Sequence, residues 1–222
     1  MAGRSDSVPV FLEVGGKRVF ACALDWPGWC RSGKDEQAAL AALAAYLPRY
    51  APVATLAGLP FVPDDARLEV LERLPGSATT DFGAPDAFAT RDHDRVDPAT
   101  GRRLAALVGA AWRLLAEVAA GTPEELRKGP RGGGRDRTAM LEHVEQAEFS
   151  YARKVGVRHR APQPGDVAAL VAMRADLLAV IAAGRPAEPV QGKEWPIRYA
   201  ARRVAWHVLD HAWEMTDRRL LG

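Results

Sequence analysis

Apolar and polar positions change rhythm partway along the chain. VPVFLEV (residues 8–14) and RVFACAL (18–24) flank Gly15-Gly16, two runs of strand-forming composition around a two-glycine turn, which predicts a β-hairpin. Next comes DWPGWCRSGKDEQAALAALAAYLPRY (25–50): Pro27-Gly28 marks a loop, Asp35 is placed to cap a helix, and the Ala/Leu run from 37 to 47 is a helix that Pro48 should end. In FVPDDARLEVLERLPG (61–76), Leu68, Val70 and Leu71 suit one more strand, and the turn-rich stretch 76–98 has no clear period and is taken as a linker. From residue 99 the period becomes helical. Four segments are expected at about 100–120, 136–155, 165–183 and 194–220, separated by GTPEELRKGPRGGG, GVRHRAPQPG and GRPAEPVQGKEW. Four such helices suit a four-helix bundle, so the expected class is α+β: a small N-terminal β-hairpin/α module over 1–75, the linker 76–98, and a bundle over 99–222.

Composition supports a globular protein of one or two domains, with 222 residues of which 48% are hydrophobic. The formal net charge is only +2, but it is unevenly shared: residues 1–95 carry 10 basic and 13 acidic side chains, net −3, and residues 96–222 carry 20 and 15, net +5. That balance gives no reason to expect nucleic-acid binding. No run of about 18 apolar residues could span a bilayer, and MAGRSDSVPV lacks the apolar stretch of a signal peptide, so a cytoplasmic location away from membranes is expected. The Ala- and Arg-rich usage suits a GC-rich bacterial genome. Cys22 and Cys30 are too few for a disulfide framework and are expected to be reduced thiols.

The candidate chemistry lies in RYAARRVAWHVLDHAWEMTDR (198–218). The apolar seam steps through Ile197, Ala200, Ala201, Val204, Val208 and Met215, and His207 and His211 fall on it one turn apart, with Cβ atoms about 5 to 6 Å from each other. On the second bundle helix the seam is Met140, Val144, Ala147 and Tyr151, and His143 lies at its edge. If those helices are neighbours, three imidazoles can converge on a metal and leave a coordination position open. The alternative is that these are ordinary partly buried histidines bonded to carbonyls or carboxylates, with Asp210 and Glu214 nearby.

One histidine in LEHVEQAE on the second helix and HxxxH in AWHVLDHAWE on the fourth make residues 99–222 resemble the DinB-like superfamily, the bundle that includes mycothiol- and bacillithiol-dependent enzymes. The resemblance implies that His143, His207 and His211 bind a divalent metal, zinc or nickel. It further implies a low-molecular-weight-thiol transferase or a hydrolase acting on a small electrophile, with the thiol arriving as cosubstrate. A second resemblance covers about 45 residues: Asp25, Pro27, Gly28, Gly33, Ala39 and Leu40 match the D-x-P-G turn, later glycine and Ala/Leu helix of the HicB-type antitoxin fold, a β-β-β-α-β module. No helix-turn-helix accompanies it, and the expected role is an accessory domain that packs on the bundle and helps wall its pocket.

RKGPRGGGRDR (127–137) joins five basic residues to backbone amides ahead of the second bundle helix, so it could hold an anionic group of a substrate, with Arg135 at its end; a solvated hinge is the other reading. Arg202 could extend that patch. Arg203, four residues before His207, is the better placed to contact substrate. Trp206 and Trp213, seven residues apart, form a stripe expected to face the N-terminal module or a second subunit of a homodimer, and Trp195 joins them in the same segment. The non-enzymatic alternative is an interaction or small-molecule-binding protein whose N-terminal module engages a partner.

Overall fold

The computed structural model describes residues 7–61, 66–129, 133–160, 163, 165–185 and 194–219. Pro130, Arg131 and Gly132 of the basic run, most of the GRPAEPVQGKEW break, and the expected last helical residue Leu220 lie outside the described residues.

The chain is mixed α and β. Strands β1 (Ser7–Val14) and β2 (Val19–Ala23) form the expected hairpin around the Gly-Gly turn. A third strand, β3 (Cys30–Gly33), extends it antiparallel, and β4 (Arg67–Pro75) returns parallel to β1 after two helices, giving the order β3-β2-β1-β4. The four residues CRSG carry no periodicity, so β3 is expected only through the resemblance to a β-β-β-α-β module and not from the residue pattern.

Helix α1 (Glu36–Ala45) starts where the sequence places it, with the Asp35 carboxylate accepting from the Ala38 amide. Pro48 does not simply end this helix. Tyr46 closes α1, and a second helix, α2 (Leu47–Leu56), begins at once with Pro48 in its first turn, where a missing N–H is harmless.

The linker is not structureless. It contains the short helix α3 (Ala78–Phe82) and a 3-10 turn at Thr90–His93, and it is strapped down by a buried carboxylate. Glu13 is fully buried on β1 and accepts from the Thr80 hydroxyl, the Asp86 amide (2.9 Å) and the Ala87 amide (3.0 Å). Farther on, Asp92 caps the 3-10 turn from the Ala89 amide (2.7 Å) and pairs with Arg202. Arg202 is therefore a buried structural cation instead of part of an exposed basic patch.

The four long helices are α4 (Pro98–Ala120), α5 (Arg137–Arg153), α6 (Val167–Ala183) and α7 (Ile197–Arg218). α4 packs on α7 and α6, and α5 packs on α7 and α6, so the second and fourth of these helices are neighbours. α7 is covered from several sides. Its residues Ile197, Ala200, Ala201, Val204, Val208 and Met215 are buried as the seam predicts, and Trp206, Leu209 and Trp213 are buried as well.

The sheet explains the extra burial. Val8, Val10 and Leu12 face the core shared with α1, α2 and the bundle, whereas Phe11, Phe20 and Cys22 face the other way and meet Trp206. Trp213 packs edge-on against Tyr46 with centroids 5.0 Å apart. The tryptophan stripe therefore faces the N-terminal part of the same chain. Gly28, in the loop before β3, adopts φ +92° and lies so close to α7 that a Cβ there would stand 2.5 Å from Leu209 Cδ1.

The two cysteines differ from their expected state. β3 brings Cys30 directly opposite Cys22, with Cα atoms 4.1 Å apart, and the pair is joined as a disulfide. The pairing of β3 with β2 is the cause.

Candidate metal centre

His207 and His211 project from α7 toward α5, and His143 projects from α5 to meet them. Spacing of four on α7 sets the first two edge to face with ring centroids 4.7 Å apart, and His143 stands 5.1 Å from each. One nitrogen from each ring lies within 4.8 Å of the others, and among the described residues this is the group of His, Cys, Asp and Glu side chains so arranged. Nε2 of His143 and Nε2 of His207 are 3.2 Å apart. Two nitrogens on tetrahedral zinc, each at about 2.0–2.1 Å, would be separated by roughly 3.3 Å. The donor chemistry and this edge of the triangle fit a divalent cation.

Electrostatics keep two of the rings neutral. Burial pushes His207 down to about 2, aided by the neighbouring His211 and His143 and by Arg203 and Arg135. His143 is lowered by burial and then by Arg135 and His211, against an opposing pull from Glu214. Neutral imidazole is the form that binds a metal.

His211 is oriented from behind. Its Nδ1 is 3.0 Å from Glu214 Oε2, which leaves Nε2 for the cluster, and Glu214 accepts from Arg218 at 2.6 Å. Arg218 in turn donates to the Arg127 carbonyl at 2.7 Å, while the Arg127 amide donates to the Arg218 carbonyl at 2.9 Å. The end of α7 and the loop leading to α5 are thereby tied to the carboxylate that fixes the ring. His207 is less well supported: its Nδ1 is buried without a hydrogen-bond partner among the described residues.

The basic run before α5 is mostly occupied internally. Lys128 pairs with Asp136, Arg137 pairs with Glu124 at 3.1 Å, and Arg127 donates to the Asp217 carbonyl. Arg135 is exposed, and its charge acts on both His143 and His207. Arg203 donates to the Pro85 carbonyl and lies over the Trp206 and Tyr151 rings, at 4.9 and 5.6 Å from their centroids. The Tyr151 ring is 5.7 Å from His207 and 5.2 Å from Trp195, so aromatic rings wall the site on the α5 side.

Sequence reasoning overlooks Glu148. This fully buried carboxylate on α5 accepts from Trp112 Nε1 at 2.6 Å and pairs with Arg174 at 2.8 Å. Steps of four from Met140 through Val144 reach it, so its place on the apolar seam was available as a signal.

In comparisons with known proteins, no family model, curated protein or solved structure matches the chain.

Proposed function

We propose that His143, His207 and His211 hold a divalent metal, zinc or nickel, and that the protein is a metal-dependent enzyme of DinB-like type. The observation that carries this reading is the convergence of three imidazole nitrogens from two neighbouring helices, within 4.8 Å of one another. A metal held by three neutral imidazoles supplies Lewis acidity with a coordination position open to a ligand.

The chain's own groups set what reaches that position. Glu214 holds His211 in one tautomer and rotamer, as a carboxylate behind a metal-bound histidine does. Tyr151 and Trp195 offer flat apolar surface to a small substrate, and Arg135 and Arg203 offer positive charge near the site. The cysteines lie on the sheet, on the Trp206 side of α7, so the reading places the reacting thiol in a low-molecular-weight cosubstrate. The reaction class that follows is transfer of that thiol to a small electrophile, or hydrolysis of one. The N-terminal module, of HicB-like type in this reading, buttresses α7 through Trp206 and Gly28.

The test is elemental analysis of untagged protein beside a His143→Ala variant. A near-stoichiometric divalent metal that is lost in a folded variant supports the reading and directs thiol-transfer screening. Protein that takes up neither zinc nor nickel on titration overturns it and leaves the histidines a packing role.

A further inference from the structure

Cys22 and Cys30 occupy the last paired positions of β2 and β3. The Ala23 amide donates to the Trp29 carbonyl at 2.9 Å, which makes Ala23 and Trp29 the hydrogen-bonded pair and Cys22 and Cys30 the adjoining non-hydrogen-bonded one. In that register opposite side chains come closest, and the two cysteine Cα atoms are 4.1 Å apart. The ladder from Val19–Gly33 to Cys22–Cys30, with the Ala23–Trp29 hydrogen bond beyond it, pairs the two strands independently of the sulfur bond.

The pair is buried, Cys22 being 3% and Cys30 5% exposed, at the edge of a small cluster with Phe11, Phe20 and Trp206. Both cysteines line a narrow cleft between the sheet and α7, together with Phe11, Trp206, Arg203 and Pro85. The cleft is mostly apolar. The Arg203 guanidinium lines the same cleft and donates to the Pro85 carbonyl. A matched dithiol and a cleft that meets it are the components of thiol–disulfide exchange.

We propose that Cys22 and Cys30 form a reversible dithiol–disulfide site that exchanges, through this cleft, with low-molecular-weight thiols and disulfides. In the oxidising direction one cysteine thiolate attacks a sulfur of the small disulfide, forming a mixed disulfide and expelling one small thiolate. The second cysteine thiolate then attacks the protein sulfur of that mixed bond, closes Cys22–Cys30 and expels the second small thiolate. Two electrons pass from the protein to the small disulfide, and the two protons leave with the expelled thiols. The site lies on the sheet side of α7 and stands independently of whether the histidine cluster holds a metal.

The experiment is a redox titration of the folded, full-length protein against reduced and oxidised glutathione, with acid quench, maleimide labelling and intact-mass analysis. The expected result is a single transition from two labels per chain to none as the oxidised fraction rises, reversed by reduced glutathione. Cys22→Ser and Cys30→Ser variants are expected to acquire one glutathione each under oxidising conditions. Two labels at every ratio would mean that the pair never closes, and none in excess reduced glutathione would mean a permanent crosslink; either overturns the proposal. Should the serine variants fail to fold by circular dichroism, the wild-type titration decides alone.

Discussion

The Trp206 ring of α7 meets the Phe20 ring of β2 edge to face, with centroids 6.2 Å apart and planes at 89°. This contact joins the sheet to the helix that carries two of the three clustered histidines, so the N-terminal module and the histidine site share one support.

Trp206→Ala is therefore expected to destabilise the whole chain by about 3–5 kcal/mol, since a buried aromatic is removed from between two layers that cannot close the gap easily. Urea unfolding should show one transition at lower midpoint with unchanged slope. A midpoint equal to wild type would mean that the sheet and α7 are held together by other contacts.

Glu214→Gln tests how the site is oriented. The amide retains hydrogen-bonding capacity but loses the charge that holds the His211 ring and pairs with Arg218. Zinc affinity measured by competition with a chelator should fall roughly 10- to 100-fold with the fold intact. An affinity within twofold of wild type would show that the carboxylate serves only Arg218.

Gly28→Ala introduces a side chain at φ +92°, where L residues are strained, and sets its Cβ 2.5 Å from Leu209 Cδ1 and 3.0 Å from the Ala205 carbonyl carbon. A loss of about 2 kcal/mol or more is expected, read from thermal and urea unfolding. Wild-type stability in this variant would mean that the loop moves off α7 freely.

The histidine positions were legible because helical spacing alone puts His207 and His211 on the apolar seam, and His143 at the edge of another. What the sequence left open was whether α5 and α7 adjoin, a property of packing that no local pattern encodes. Long helices were readable to within a few residues, since their apolar stripes repeat over many turns. β3 was not readable from periodicity, because four residues give no period, and the Cys22–Cys30 pairing depends on its register with β2. The linker's order was hidden for a related reason: Glu13 holds it through backbone amides of Asp86 and Ala87, which any residue other than proline would supply.

Glu148 yields a prediction in pH. Burial raises its carboxyl above the ordinary value of 4.5, with Arg174 and the Trp112 N–H pulling the other way without overcoming it. The folded chain therefore holds this proton more tightly than the unfolded chain. Stability from this group is fully present below the ordinary value and is lost as pH rises through the raised folded value. Glu148→Gln keeps a similar shape and an acceptor for Trp112 but does not titrate. The difference in unfolding free energy between the two proteins cancels the other ionisable groups, so the Gln variant should gain on wild type as pH increases from about 4 upward. Urea unfolding of both proteins across that range measures it. A difference that instead moves in favour of wild type with rising pH would mean that Arg174 outweighs burial and that the ionised carboxylate is the form the fold prefers.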